Sequence, residues 1–93
     1  PSVPVFFTKA TTSVIGPDAP VRSSLDPTQS VDYECELCFI ISKTAHQVRK
    51  ADAFDYIFGY TLLNDVTSRT LQQQHNQWFL GKSLDSFAPM GRP

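Results

Sequence analysis

The sequence predicts a β-rich α+β domain, and three stretches carry that prediction. Val31 to Ile41 is dominated by β-branched, aromatic and aliphatic residues, the composition of a strand. At Ala51 to Phe58 the period changes: Phe54, Ile57 and Phe58 fall at helical spacing, with Asp52 and Asp55 left for the outer face. Tyr60-Thr61-Leu62-Leu63 then reads as a buried strand that runs through Asn64-Asp65 into a second helical segment, Thr67 to His75.

The first of these stretches places two carboxylates inside a run otherwise built for burial. Alternate residues of a strand share a face, so Glu34 and Glu36 project together with Cys38 and Ile40, while Cys35, Leu37, Phe39 and Ile41 take the other side. At a rise of about 3.3 Å per residue the two glutamate Cα atoms stand roughly 6.5 Å apart, and both carboxylates can reach one point. Two anions there repel. Protonation of one, pairing with Lys or Arg, or a divalent cation between them relieves the repulsion. A solvated strand face accounts for the pair as readily as a shared cation does.

Composition narrows the function classes. The 93 residues, 41% hydrophobic and 12% aromatic, suffice for one domain and leave no room for two. A chain of this length buries only about 60–65% of its unfolded surface. The net charge is −1 and the basic residues are scattered, so neither nucleic acid nor a membrane surface is an expected partner. No apolar run approaches the roughly 18 residues of a spanning helix. Cys35 and Cys38 spell C-x-x-C, yet residues three apart in a strand face opposite ways. No second cysteine pair exists, and His46 and His75 fit no zinc-finger spacing. Two buried, reduced thiols are expected, which suits a cytoplasmic or mitochondrial setting.

Along the chain, Val5-Phe6-Phe7 reads as a short buried strand followed by Lys9, which either snorkels outward, the commoner outcome, or aims its ammonium into a polar cavity. Thr11 to Gln29 is rich in turn formers, including Gly16-Pro17-Asp18 and Asp26-Pro27, around a brief Val21-Arg22 extension. Ser42 to His46 is a polar turn, Val48 opens a short extended piece, and Gly59 is placed to end the first helix. Asp65, at a strand end just before a helix, suits either a third oxygen ligand facing a cavity or a helix cap. Arg69 and Gln72, three residues apart on that helix, share a face and offer donors to an oxygen-rich ligand, although on spacing alone a capping Asp65 with solvated Arg69 and Gln72 is the better account. Trp78-Phe79-Leu80 is expected to return to the core, with Lys82 pinned beside it, and the tail from Asp85 is read as turns without a closing element. His46 and His75 are read as surface residues.

Several of these segments together resemble the fumarylacetoacetate hydrolase family. They are Phe6-Phe7-Thr8-Lys9, Val31-Asp32-Tyr33-Glu34-Cys35-Glu36-Leu37, Phe58-Gly59-Tyr60, Asn64-Asp65-Val66-Thr67-Ser68-Arg69, Leu71-Gln72, Trp78, Gly81-Lys82-Ser83, Asp85 and Ala88-Pro89-Met90-Gly91. The resemblance implies part of a rolled β-sandwich with short helices. It also implies a Mg²⁺ ion, or Mn²⁺ or Ca²⁺, held by Glu34, Glu36 and Asp65, ligands of the kind hard cations prefer. Lys82 is then the catalytic lysine beside the metal, and Arg69, Gln72 and Lys9 contact substrate.

The implied chemistry is hydrolysis of a carbon–carbon bond in an acylpyruvate-like 1,3-dicarbonyl or 2-oxo acid through a metal-stabilised enolate. The alternatives are an oxaloacetate-type decarboxylase, an isomerase, or a non-catalytic relative that keeps the cation. Relatives are commonly homodimers, which is analogy. Three departures stand out. The family's upstream His–Glu pair and C-terminal half have no counterpart, so residues 1–93 are expected to form an incomplete catalytic domain. Thr70 stands where Asp is frequent, and Cys35 where Gly is frequent.

Overall fold

The computed structural model describes residues 1–93, whose strands and helices run β1 (Val14–Ile15), β2 (Val31–Asp32), β3 (Cys35–Ile41), β4 (Ile57–Asn64), β5 (Thr67–Ser68), α1 (Arg69–Gln74), α2 (Phe79–Lys82) and β6 (Ala88–Pro89). The class is α+β, as expected. Its strands pair in three two-stranded sheets: β1 with β6 in parallel, and β2 with β5 and β3 with β4 antiparallel.

The β3–β4 hairpin is the largest element. Its register runs from Cys35 opposite Asn64 to Ile40 opposite Gly59, then slips at a bulge so that Ile41 faces Ile57. The expected helix at Ala51–Phe58 is a tighter 3₁₀ segment, Lys50–Tyr56, and Gly59 does not end it but lies within β4. The β-branched and aromatic pair Ile57-Phe58 joins the ladder instead, where strand pairing outweighs a helical spacing only three residues deep. A Cβ at Gly59 would stand 3.3 Å from the Pro93 side chain, a tight contact that a small shift of that exposed residue relieves.

The central run is not one strand. Val31-Asp32 pairs with Thr67-Ser68, and the chain changes partner at Tyr33-Glu34 before pairing with β4. The second helix is correspondingly shorter than expected. Thr67 and Ser68 belong to β5, and Ser68, not Asp65, is the N-cap, its Oγ accepting from the Leu71 N–H at 3.4 Å. Val5–Phe7 forms no strand, and Phe6 is 89% exposed. Neither Val21-Arg22 nor Val48 is a strand. The tail does close: Ala88-Pro89 pairs with β1, Met90 N–H donates to Ile15 O, and Gly91 N–H donates to Leu62 O.

Burial departs from the hydrophobic pattern. Leu37, Phe39 and Ile41 of β3 and Phe58, Tyr60 and Leu62 of β4 share the hairpin face away from the glutamates, and all are exposed. Trp78, Phe79 and Leu80 are also at the surface, Cys35 is exposed and Cys38 half-buried, so the expected buried thiols are absent. The buried set joins Val66, Phe87 and Ala88 to Ser13, Asp26, Asp65, Thr67, Ser68, Lys82 and Ser86. Its polar members are held by hydrogen bonds, and no buried side-chain donor or acceptor lacks a partner.

Asp26 illustrates the cost and its relief. Its Oδ1 accepts from the Thr28 N–H at 2.9 Å and hydroxyl at 2.6 Å, and its Oδ2 from the Ser30 N–H at 2.9 Å. Burial opposes ionisation, but these bonds, with a contribution from Ser68, outweigh it and hold the carboxyl down at about 2. A depressed carboxyl contributes stability that is present above its unfolded value of 3.8 and is lost as pH falls through the folded value. Asp26→Asn is therefore expected to destabilise the protein by about 2 kcal/mol at neutral pH, with the difference shrinking as pH falls from about 4 to 2. Urea unfolding of both proteins across that range checks it, and a difference independent of pH would refute it.

Candidate metal centre

The register of the hairpin assembles the site. Cys35 opposite Asn64 is the last ladder pair, so the next residues, Glu34 and Asp65, also lie opposite each other, joined by the Asp65 N–H donating to Glu34 O at 2.8 Å. The Asn64 side chain accepts from the Glu34 N–H at 3.1 Å and fixes the backbone at the partner change. Glu36 stands two residues along β3 on the same face. One carboxylate oxygen each from Glu34, Glu36 and Asp65 lie within 4.8 Å of one another.

Three cations surround this cluster. Lys9 Nζ is 2.5 Å from Asp65 Oδ1 and donates to Val66 O at 3.0 Å, so it turns inward to the carboxylates and does not snorkel. Its segment is tied down by the Ala10 N–H donating to Ser83 Oγ at 2.9 Å. Lys82 Nζ, on a residue 2% exposed, is 2.6 Å from Asp65 Oδ2, 2.9 Å from Thr67 Oγ1 and 3.2 Å from Glu34 Oε2. The Phe7 ring covers the same ammonium, its centroid 4.9 Å away, and meets Trp78 edge to face. Arg69 reaches Glu34 Oε1 at 2.6 Å and Asp32 Oδ2 at 3.0 Å, and its Nη1 also donates to Gln72 Oε1 at 3.2 Å.

The electrostatics follow from these contacts. Desolvation pulls the Lys9 ammonium below its ordinary value despite Asp65, and Lys82 adds to the shift. The hydrogen bond from Arg69 lowers Asp32, and that to Glu34 raises Arg69. Glu36 alone has no cation within ion-pair distance. Loss of solvation, then the negative charges of Asp65 and Glu34, raise its carboxyl above the ordinary value. Asp32, Glu34, Glu36 and Asp65 thus carry four negative charges against the three positive charges of Lys9, Arg69 and Lys82. An all-carboxylate donor set with one uncompensated member suits a hard divalent cation, which would turn the local balance positive. Glu34, Glu36 and Asp65 are the residues able to hold it.

Every residue singled out in the sequence lies in or beside this cluster, except that Gln72 meets it only through Arg69. Asp32, Thr67 and Phe7 were missed. Asp32 shares the parity of Glu34 and Glu36 along the sequence, a signal that was present. Nothing local distinguishes Thr67 or Phe7, whose roles depend on where Lys82 ends up.

Lys82 is placed by close helix packing. A Cβ on Gly81 would lie 2.6 Å from Gln72 N, 2.9 Å from Gln72 Cα and 2.9 Å from Ser68 O, all backbone atoms that cannot turn aside.

A carboxylate triad flanked by a buried ammonium on a hairpin of an α+β fold is an oxygen-donor cluster that could hold a divalent cation. The family model for the Fumarylacetoacetate (FAA) hydrolase C-terminal domain matches residues 1–93, and the chain belongs to that family, whose members generally bind a divalent metal. It is 46% identical over 91 residues to the oxaloacetate tautomerase YisK of Bacillus subtilis, matching 98% of this chain and 30% of that protein. The structure superposes on a fumarylacetoacetate hydrolase of Exiguobacterium antarcticum with TM-score 0.84 and 48% identity, over 90% of this chain and 30% of that one. On a 5-carboxymethyl-2-hydroxymuconate delta-isomerase of Mycobacterium smegmatis the TM-score is 0.85 at 39% identity, over 98% and 36% of the two chains. The chain therefore spans about a third of the length of these relatives.

Two expectations follow. Gly81→Ala must push α1 and α2 apart and should cost about 3 kcal/mol, read by denaturant unfolding, whereas an unchanged midpoint would show that the contact yields freely. Glu36→Gln should stabilise the metal-free protein at neutral pH. A carboxyl raised by folding loses stability as pH rises through its folded value, and Gln cannot ionise. Because the side chain is exposed, solvent screening limits the gain to about 0.5 kcal/mol, and it should vanish at a pH below the ordinary carboxylate range. A less stable variant at neutral pH would contradict the electrostatic reading.

Proposed function

We propose that this chain is the cation-binding part of an enzyme that interconverts the enol and keto forms of a 2-oxo dicarboxylic acid of oxaloacetate type. The observation that carries the reading is the convergence of Glu34, Glu36 and Asp65 with the ammonium of Lys82 buried against two of them. When bound, a Mg²⁺ or Mn²⁺ ion would act as a Lewis acid toward adjacent substrate oxygens and favour the enolate. The Lys82 ammonium, its N–H groups already directed at Asp65, Thr67 and Glu34, would add positive charge beside the same developing oxyanion, where low solvent access strengthens the attraction. Arg69 and Gln72 present donors from one turn of α1: Gln72 accepts from Arg69 through Oε1, which leaves its NH₂ group for a substrate carboxylate. In the interconversion one proton leaves the enol oxygen and one is gained at carbon, so the net composition is unchanged.

Similarity to an oxaloacetate tautomerase and to a delta-isomerase supports proton relocation over bond cleavage. Hydrolysis of a carbon–carbon bond is the second reading, favoured by the 48% identity to a fumarylacetoacetate hydrolase. It passes through the same enolate but also requires an activated water.

The test uses the full-length protein with Mg²⁺ or Mn²⁺ and follows the decay of enol absorbance of oxaloacetate. Acceleration should require metal, disappear with a chelator, and fall ~100-fold or more in Lys82→Met, the scale of losing one electrostatic stabiliser of the oxyanion. Glu36→Ala should abolish saturable metal binding by calorimetry. Cleavage of an acylpyruvate without enol–keto acceleration would transfer the assignment to hydrolysis, and metal binding without either activity would mark a non-catalytic relative.

A further inference from the structure

The first turn of α1 is held by a hydroxyl cluster that the metal site does not itself contain. The first amides of a helix have no partner within it. Here the Arg69 N–H donates to Ser30 O at 3.0 Å, the Thr70 N–H to Ser30 Oγ at 2.9 Å, and the Leu71 N–H to Ser68 Oγ at 3.4 Å. Ser30 Oγ lies 2.8 Å from Thr28 Oγ1 and 3.2 Å from Ser68 Oγ, and Thr28 Oγ1 lies 3.3 Å from Ser68 Oγ. Behind all three hydroxyls sits the carboxylate of Asp26, 2% exposed, accepting from the Thr28 and Ser30 amides and from both of their hydroxyls. An anion that only accepts draws the Thr28 hydroxyl proton toward it, and the Ser30 proton goes to Asp26 or to Thr28, which leaves a Ser30 lone pair for the Thr70 amide. The chain of contacts runs from Asp26 through Ser30 and Ser68 to the backbone of Arg69, and from the Arg69 guanidinium to Glu34 and Asp32.

We propose that Asp26 is a positioning residue for the site: through Thr28, Ser30 and Ser68 it fixes the first turn of α1 and thereby holds the Arg69 guanidinium against Glu34. Asp26 touches neither the carboxylate triad nor Lys82. Its effect on ligand binding rests on the reading above, in which Arg69 meets the substrate carboxylate. Its effect on α1 does not.

The experiment compares wild type, Asp26→Asn and Ser30→Ala in the full-length protein. Ser30→Ala removes one hydroxyl while leaving the carboxylate and its backbone bonds, so it remains informative where Asp26→Asn does not fold. Hydrogen exchange should show the Arg69, Thr70 and Leu71 amides losing ~10-fold or more of their protection in either variant beyond whatever loss the amides of β3 and β4 share through lowered global stability. Calorimetry should find Mn²⁺ affinity within about 3-fold of wild type and oxalate affinity of the Mn²⁺-loaded protein lowered ~5–10-fold. That second loss should disappear in an Arg69→Ala background, the non-additivity expected of residues acting through one another. Unchanged protection at the three amides in both variants overturns the proposal, as does an oxalate loss that persists undiminished without Arg69. If wild type binds no oxalate, the functional reading fails, and the exchange data alone decide the positioning of α1.

Discussion

The antiparallel register of β3 and β4 is the constraint on which the site depends. Because Cys35 faces Asn64, Glu34 faces Asp65, and the two-residue period of a strand puts Glu36 on the same side. Slipping the pairing by one residue would turn Asp65 to the opposite face and leave two carboxylates without the third. The only irregularity, the bulge between Ile40 and Ile41, lies at the far end of the hairpin, where it alters the approach from the 3₁₀ segment without disturbing the pairs next to the site. Register, not proximity in sequence, joins residues 34 and 65.

Bringing three carboxylates together in a partly buried place has an electrostatic cost, and most of the chain's polar packing answers it. Asp65 is fully buried, yet each of its oxygens meets an ammonium, Lys9 on one side and Lys82 on the other. A buried charge is tolerable only with such pairing and hydrogen bonding. Lys82 in turn depends on Thr67, Phe7 and the close approach of α1 and α2 that glycine at 81 permits. Arg69 is held from both ends, its amide by Ser30 and its guanidinium by Asp32 and Glu34. Glu36 is left as the member without a counter-charge.

Much of this was legible because the relevant signals are local or periodic. Glu34 and Glu36 declare a shared face by parity, Asp65 marks a strand end, and the motif combination around Asn64 to Arg69 fixes the family. What could not be read depends on contacts distant in sequence. Phe54, Ile57 and Phe58 satisfy a helical period, but Ile57 pairs with Ile41 of β3 and Phe58 is the extra residue of the bulge within β4, which no local rule anticipates. Val31 to Ile41 reads as one strand because composition cannot reveal that Asp32 pairs with Thr67 while Cys35 pairs with Asn64. Apolar patterning placed Leu37, Phe39, Tyr60 and Leu62 inside, whereas the face they share is exposed in this chain. Phe87 and Ala88, in a tail that reads as turns, are buried instead because Ala88 is carried in by pairing with β1.

The exposed hairpin face makes the opposite side responsible for holding the register. A two-stranded hairpin is marginal by itself in water, and here its large apolar residues contribute little by burial. The restraints lie on and beside the carboxylate side: Asp65 N–H to Glu34 O, Glu34 N–H to the Asn64 side chain, and Gly91 N–H to Leu62 O, with the tail lying so close to Thr61 that a Cβ on Gly91 would come within 2.6 Å of its hydroxyl. Lys82 adds a cross-strand link, meeting Glu34 before β3 and Asp65 after β4 with one ammonium. The groups assigned to chemistry therefore also stabilise the pairing that assembles them. Their substitution changes the geometry of the site and the fold together, whereas Asp26 and its hydroxyls act on Arg69 from outside the hairpin.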